Sequence, residues 1–413
     1  MTRPGHGDRD VWPAGYGVIA GELAVAGRPV SAWIAEAGGT PLFLYDRALI
    51  ATRIAELRAV LPTRVKLHYA IKANPMPALV RFIAPLVDGL DVASSGELDV
   101  ALTTGAPPAD ISFAGPGKRD TELAAALAAG VVVNLESEGE MARLAALATA
   151  AGRRARAAIR VNPDFELKGS GMRMGGGAKP FGVDAERVPA MLRAMVGLPL
   201  DFQGFHIFSG SQNLSADALI DTQDKTLALA AALAADAPCP PRLVNIGGGF
   251  GIPYAPADQP LDLARVGAAL AARLDRLEPA IAGAEIVIEL GRYLVGEAGV
   301  YLTRVIDRKL SHGEVFLVTD GGLHHQLAAS GNFGQVIKRN YPVALASRFD
   351  QPAAETATVV GCLCTPLDRL GDKVPLPEGR PGDVVAVFQA GAYGLTASPT
   401  RFLGHPEPRE YLA

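Results

Sequence analysis

The residues that could do chemistry in this chain begin with Lys72, in Tyr69-Ala70-Ile71-Lys72-Ala73-Asn74-Pro75. The run before it, Val65-Lys66-Leu67-His68-Tyr69-Ala70, alternates as a β-strand does, and Asn-Pro stops the chain behind it. A lysine fixed and partly desolvated at the carboxyl end of a strand suits Schiff-base chemistry with an aldehyde, because only the neutral amine attacks a carbonyl. A solvated surface lysine is the plain alternative, so the rest of the chain has to decide. Glu289 and Arg292, in Glu-Leu-Gly-Arg-Tyr, set a carboxylate and a cation three residues apart. Gly247-Gly248-Gly249-Phe250-Gly251 lets backbone N–H groups approach an anion such as phosphate. It is not a dinucleotide fingerprint, because its third glycine is not placed for helix packing. A simple turn is the competing explanation.

Elements that could position these residues alternate along the chain. Helical stretches begin near Arg47, Pro77, Gly96, Asp120, Ser137, Ala185, Ser215 and Leu261. Between them lie Lys66–Ala70, Leu90–Ala93, Ile111–Ala114, Val131–Leu135, Ala157–Val161, Phe202–Ile207, Leu243–Ile246 and Ile286–Leu290. Most of these runs are apolar on both faces, as a closed parallel sheet covered by helices requires. The pattern predicts an α/β fold, a TIM barrel over residues 41–295, with an open doubly wound sheet as the alternative. After Gly296, strand-like runs at Val300–Val305, Val315–Thr319, Ala357–Val360 and Val384–Phe388 follow without regular helices. Residues 1–40 and 296–413 are therefore expected to form a β-domain, the chain entering the barrel at Pro41–Tyr45. The glycine-rich stretch 162–180 is expected to be a mobile loop over one barrel end.

Bulk properties exclude several classes. The 413 residues are 49% hydrophobic and 20% charged, which describes a folded protein too long for one ordinary core. A net charge of −4 with scattered arginines offers no nucleic-acid surface. No window approaches the roughly 18 apolar residues of a membrane span, and Met1–His6 leads into no signal-peptide core. Three cysteines, Cys239, Cys362 and Cys364, form no disulfide framework and favour a cytoplasmic setting. With no second cysteine pair and adjacent histidines expected to diverge at His324-His325, no metal site is expected.

In a barrel, residues just past the strands converge on one rim. Here that rim collects Lys72, Asp91, Ser94, Arg160, Asn162, His206, Phe208, Ser211, the glycine run, Glu289 and Arg292. Asp91 could equally cap the helix near Gly96, and Arg160 could be a surface residue.

Taken in order, several motifs resemble the fold-type III pyridoxal-phosphate decarboxylases, the diaminopimelate/ornithine decarboxylase family. They are Tyr-Ala-Ile-Lys-Ala-Asn-Pro (69–75), Leu-Asp-Val-Ala-Ser-Ser-Gly-Glu-Leu (90–98), Arg-Val-Asn-Pro-Asp (160–164), Gly-Phe-His-Ile-Phe-Ser-Gly-Ser-Gln (204–212), the glycine run, Glu-Leu-Gly-Arg-Tyr and Gly-Ala-Tyr (391–393). The resemblance implies an alanine-racemase-like (β/α)8 barrel, a second β-sandwich or barrel domain, and a homodimer with shared active sites. It implies pyridoxal 5'-phosphate held covalently by Lys72, its phosphate by Ser211, Gly248, Gly249, Arg292 and Tyr393, and its ring nitrogen by Glu289. A carboxylate there keeps the nitrogen protonated, so the ring can accept electrons. Asp91 and Arg160 would also line the cofactor. Cys364 corresponds to the interface cysteine that reprotonates the α-carbon, a buried small hydrophobe being its plain reading. Cys362 is expected to face the other way on the same strand.

Departures bear on the substrate. The family's diaminopimelate enzymes carry Glu after the cysteine, where this chain has Thr365, and an arginine clamp in the segment Asp320–Gly334, where none occurs. A zwitterionic far end would be left unpaired, at a cost on the order of several kcal/mol. Cys-Thr-Pro-Leu-Asp together with His-His-Gln-Leu-Ala-Ala-Ser-Gly-Asn-Phe-Gly looks instead like the subgroup that includes the butirosin-type decarboxylase of carrier-bound glutamate and exosortase-associated decarboxylases. Phe208 stands where relatives stack a histidine on the ring, so either Phe208 or His206 would fill that role. Arg292, Tyr393, Thr365 and His324 are the expected substrate contacts. The expected reaction is α-decarboxylation of an amino acid or carrier-linked aminoacyl group. Free diamino-acid decarboxylation, racemisation and a non-catalytic regulator are the rivals.

Overall fold

The computed structural model describes residues 13, 15–169, 171–255, 257–331 and 339–413. Residues 1–6, residue 170 of the glycine-rich loop and residues 332–334 of the Asp320–Gly334 segment lie outside that description. The chain divides into two compact units.

Arg53–Gly251 with Pro260–Gly291 is the barrel unit. Its strands are β1 (Val65–Ala70), β2 (Gly89–Val92), β3 (Ile111–Phe113), β4 (Val132–Leu135), β5 (Ala155–Asn162), β6 (Leu200–Ile207), β7 (Leu243–Asn245) and β8 (Glu285–Leu290). All pair in parallel in the order β5-β6-β7-β8-β1-β2-β3-β4, and β4 closes the ring on β5. The closed barrel settles the choice against an open sheet. Helices cover the outside, and side-chain caps set the starts of four of them. Ser94, Ser137, Ser215 and Asp262 each accept from the amide three residues on, each cap contributing about 1 kcal/mol.

One position in the sheet tolerates only glycine. Gly204 has φ +144°, lies at a register shift between β6 and β5, and its missing Cβ would overlap the Leu243 carbonyl.

The second unit comprises the described part of Met1–Thr52, Ile252–Gln259 and Arg292–Ala413. A long strand, Gly299–Ser311, organises an eight-stranded sheet, pairing with Val384–Phe388, Glu314–Thr319 and Leu42–Tyr45. Leu42–Tyr45 therefore belongs to this sheet rather than leading into the barrel. Its four side chains are all buried, a pattern that cannot be told from a barrel strand by sequence. Arg369–Leu376 and Arg409–Leu412 are further strands the pattern did not reveal. A small separate sheet, Gly17–Ile19, Glu22–Val25 and Arg28–Pro29, precedes them.

Gly204→Ala should lower stability by about 1–3 kcal/mol or more through overpacking and a forbidden φ. Urea unfolding checks this, and an unchanged midpoint would contradict the β5–β6 geometry.

Candidate active site

Polar side chains collect inside the barrel, and most lie near the carboxyl ends of its strands. Lys72 follows β1 on a single 3-10 turn, Ile71–Ala73. That turn is anchored by the Tyr69 hydroxyl donating to the Asn74 carbonyl at 2.9 Å. Lys72 itself is exposed rather than desolvated, because the turn lifts it off the strand onto the rim. Its Nζ lies 5.6 Å from the centre of the Phe208 ring, and its charge acts on Glu289 and Glu97.

Glu289 is buried on β8. One of its oxygens is 3.1 Å from His206 Nε2 and accepts from Asn245 Nδ2, also at 3.1 Å. Burial alone would raise its carboxyl, but His206, Lys72 and Arg160 outweigh that and hold it well below the usual carboxylate range. Asn245 also accepts from the Gly247 amide at 2.8 Å, coupling the carboxylate to the glycine turn. Any side chain at Gly248 would overlap the Glu289 carbonyl, and one at Gly247 would meet Phe208. Among the described residues, the amides of Gly248 and Gly249 donate to no backbone carbonyl.

Arg160, buried on β5, pairs with Glu136 at 2.7 Å and lies 5.1 Å from the Phe181 ring centre. Glu136 accepts from the Gly115 and Gly182 amides at 2.6 and 2.9 Å. Buried Lys118 reaches the Gly115 and Asn134 carbonyls and lies 3.1 Å from Glu140. Glu140 in turn accepts from the Glu136 amide at 2.8 Å. Burial pushes the Lys118 amine down and the Glu140 carboxyl up. For Glu136 burial is outweighed, chiefly by Arg160, and its carboxyl is lowered.

Asp91 does not cap the helix at Ser95–Leu102, since Ser94 does. It is buried, accepts from the Ser112 hydroxyl through Oδ1, and lies 3.5 Å from His68 Nδ1. Ser211, in the short strand Gly210–Ser211, pairs with Met172–Arg173. Described parts of the 162–180 stretch are hydrogen-bonded to neighbouring chain. Met174 and Gly175 amides donate to the Ser209 carbonyl, and Asn162 bonds to Gly177 and Asp184.

The second unit brings Arg292 and Tyr393 together, with the guanidinium 4.7 Å from the ring centre. Arg292 Nη1 also donates to the Tyr254 hydroxyl, and Tyr254 packs on Tyr341 at 4.6 Å. Arg292 Nε is buried with no hydrogen-bond partner among the described residues. Cys362 and Cys364 stand in the turn after Glu355–Val360, not on the strand as expected. Cys364 is exposed and Thr365 half-buried. Asp368 clasps this turn to the next one, accepting from the Leu363 and Leu323 amides at 2.8 and 2.6 Å. His324 exposes no surface, which its reading as a substrate contact did not anticipate. Its ring lies 3.7 Å from that of His325 and 5.3 Å from that of His405, so the adjacent histidines do not diverge.

Sequence reasoning missed His68, Ser112, Glu136, Lys118, Glu140, Asn245 and Tyr254. Glu136 directly follows β4, and extending the rim rule to that strand would have found it. His68 shares the alternation phase of Ala70 on β1. Tyr254 sits in irregular chain with no signal.

A family model, Pyridoxal-dependent decarboxylase, pyridoxal binding domain, matches residues 47–296. The L-glutamyl-[BtrI acyl-carrier protein] decarboxylase of Niallia circulans is 36% identical over 379 residues, covering 90% of this chain and 88% of that protein. A diaminopimelate decarboxylase of Aquifex aeolicus is 32% identical over 388 residues, covering 92% and 87%. The crystal structure of diaminopimelate decarboxylase from Helicobacter pylori complexed with L-lysine superposes with a TM-score of 0.82 at 26% identity, covering 93% of this chain and 94% of that one. Among the described residues no helix is long and apolar enough to cross a membrane.

Burial and neighbouring histidines hold the His324 and His325 imidazoles down, at about 4 and about 3. The unfolded chain takes up these protons as pH falls below about 6.5 and the folded one does not, so stability is full above that pH. Melting temperature should therefore fall by several degrees between pH 6.5 and 4.5, and His324→Phe should flatten that slope. An identical slope in the variant would refute the assignment.

Proposed function

This chain belongs to the pyridoxal-dependent decarboxylases, with pyridoxal phosphate as its cofactor, and from that premise we propose that it decarboxylates a glutamyl group carried on an acyl-carrier protein. The observation that carries the decarboxylase half is the buried, charged Glu289 with His206 and Asn245 around it. The residues present fit the cofactor. His206 Nδ1 and Asp91 Oδ2 are buried with no hydrogen-bond partner among the described residues, and the Gly247–Gly249 turn has no room for side chains.

When bound, pyridoxal phosphate supplies an electron sink for the charge left at the α-carbon as carbon dioxide departs. Lys72, exposed on a one-turn helix, would supply the amine that holds the aldehyde. Glu289 stays ionised and so favours a protonated ring nitrogen. A cation there would oppose that charge, which weighs against racemisation. Phe208, 5.6 Å from Lys72 Nζ, is placed to stack where relatives use histidine, leaving His206 to orient Glu289. Gly248, Gly249 and Ser211 are assigned to the phosphate, and Arg292 with Tyr393 to an anionic group of cofactor or substrate. Asp91 and Arg160 line the barrel mouth. Exposed Cys364 is assigned the return of a proton to the α-carbon, serving a second copy in a homodimer.

The substrate half rests on the relative of Niallia circulans and on what this chain lacks. Thr365 replaces a glutamate, and no arginine stands in Asp320–Gly334. A tethered acyl group has no charged far end to satisfy.

Carbon dioxide release measured with carrier-bound glutamate, free glutamate, diaminopimelate, ornithine and lysine tests this. Carrier-bound glutamate should lead in kcat/KM by about 100-fold or more, and preferential turnover of a free diamino acid would overturn the substrate assignment. Lys72→Ala should lose both the visible absorbance of the bound cofactor and turnover. Cys364→Ala should keep the absorbance and lose turnover. A yellow, active lysine variant would remove that residue from the scheme, and chiral product without carbon dioxide would indicate a racemase.

A further inference from the structure

His68 is a polar residue inside the barrel mouth that the reaction scheme leaves without a role. On β1 it pairs directly with Glu289 of β8 on one side and with Gly89 of β2 on the other. Its ring turns toward Asp91, with Nδ1 3.5 Å from Oδ1, an ion-pair separation rather than a tight hydrogen bond. The slot for that ring is built by a glycine. A Cβ at position 89 would come within 2.5 Å of His68 Nε2 and 2.7 Å of Cε1. Ser112, across β2, donates to the same Asp91 oxygen. The Asp91 carboxylate is thus held through Oδ1 by its two flanking strands, while buried Oδ2 has no partner among the described residues.

We propose that His68 is a positioning residue of the cofactor site: seated over Gly89 between Asp91 and Glu289, it fixes the Asp91 carboxylate through Oδ1 so that Oδ2 is presented to a donor arriving with the cofactor or its amine substrate. This rests on the assignment of the barrel mouth to pyridoxal phosphate. An oxygen buried without a protein partner costs free energy, and a bound donor recovers it. Holding the carboxylate in one rotamer in advance removes the ordering cost from the binding step. The charges facing His68 are Asp91 from β2, Glu289 from β8 and Asp110 before β3. Burial lowers its imidazole, yet these carboxylates together, Asp91 first, raise it above its ordinary value. Glu289 is in turn faced by His206, Lys72 and Arg160.

The test uses the whole enzyme freed of cofactor and titrated with pyridoxal phosphate, following the absorbance of the bound form across pH. His68→Phe removes the partner of Asp91 at similar volume, and His68→Asn keeps a donor. His68→Phe should weaken cofactor binding by about tenfold and move the pH midpoint of the bound-form absorbance, with His68→Asn restoring part of both. In an Asp91→Asn background His68→Phe should add nothing further, because both act through one carboxylate. Wild-type affinity and pH midpoint in His68→Phe, or additive effects in the double variant, would overturn the proposal. Should the phenylalanine variant not fold, His68→Asn in the two backgrounds decides the same question: coupled losses support the proposal and additive ones sink it. If the wild-type protein itself bound no pyridoxal phosphate, the site assignment would fall first.

Discussion

A carboxylate kept charged in the interior of a barrel constrains everything near it. Burying an ion costs several kcal/mol unless partners compensate. Glu289 meets that demand with His206, Asn245 and the more distant charges of Lys72 and Arg160. Each partner then makes its own demand. Arg160 is itself buried and needs Glu136, and Glu136 sits beside Lys118, which lies against Glu140. The far end of this succession is a helix start, where Glu140 accepts from the Glu136 amide. One buried charge therefore constrains residue types on or after every strand from β3 to β7 and after β1.

The same dependence explains why some of the site could be read from sequence and some could not. Lys72, Glu289, the glycine turn and His206 stand directly at strand ends, and the barrel rule places such residues on one rim. Ser137 caps its helix by accepting from the Glu140 amide, while the Glu140 side chain reaches one residue past the cap to the Glu136 amide. Its second oxygen, facing Lys118, becomes visible only once the turn after β3 folds beneath it. His68 looked like the polar half of an alternating strand. In a barrel that half faces the interior, so its polarity was the clue and the alternation concealed it.

Strand assignment failed for comparable reasons. Leu42–Tyr45 is apolar on both faces, as barrel strands are, and its pairing with Gly299–Ser311 and Arg409–Leu412 is what places it elsewhere. Arg369–Leu376 carries charges, a proline and a glycine, so its pattern does not announce a strand. The cysteines fall just past Val360, in a turn rather than on the strand, and two residues apart on a strand they would have shared one face. The turn they occupy is shaped instead by Asp368, which no periodicity reports.

Asp368 has a further consequence for how such enzymes diversify. Its two oxygens bind one backbone amide from each of two turns, and neither Gly322 nor Gly361 leaves room for a side chain against it. The stretch bearing Thr365 and the stretch bearing His324 are therefore tied to one another through a single carboxylate. Grafting either one alone from a relative with a different clasp would strand a buried oxygen, so new specificities should arise by exchanging both segments together.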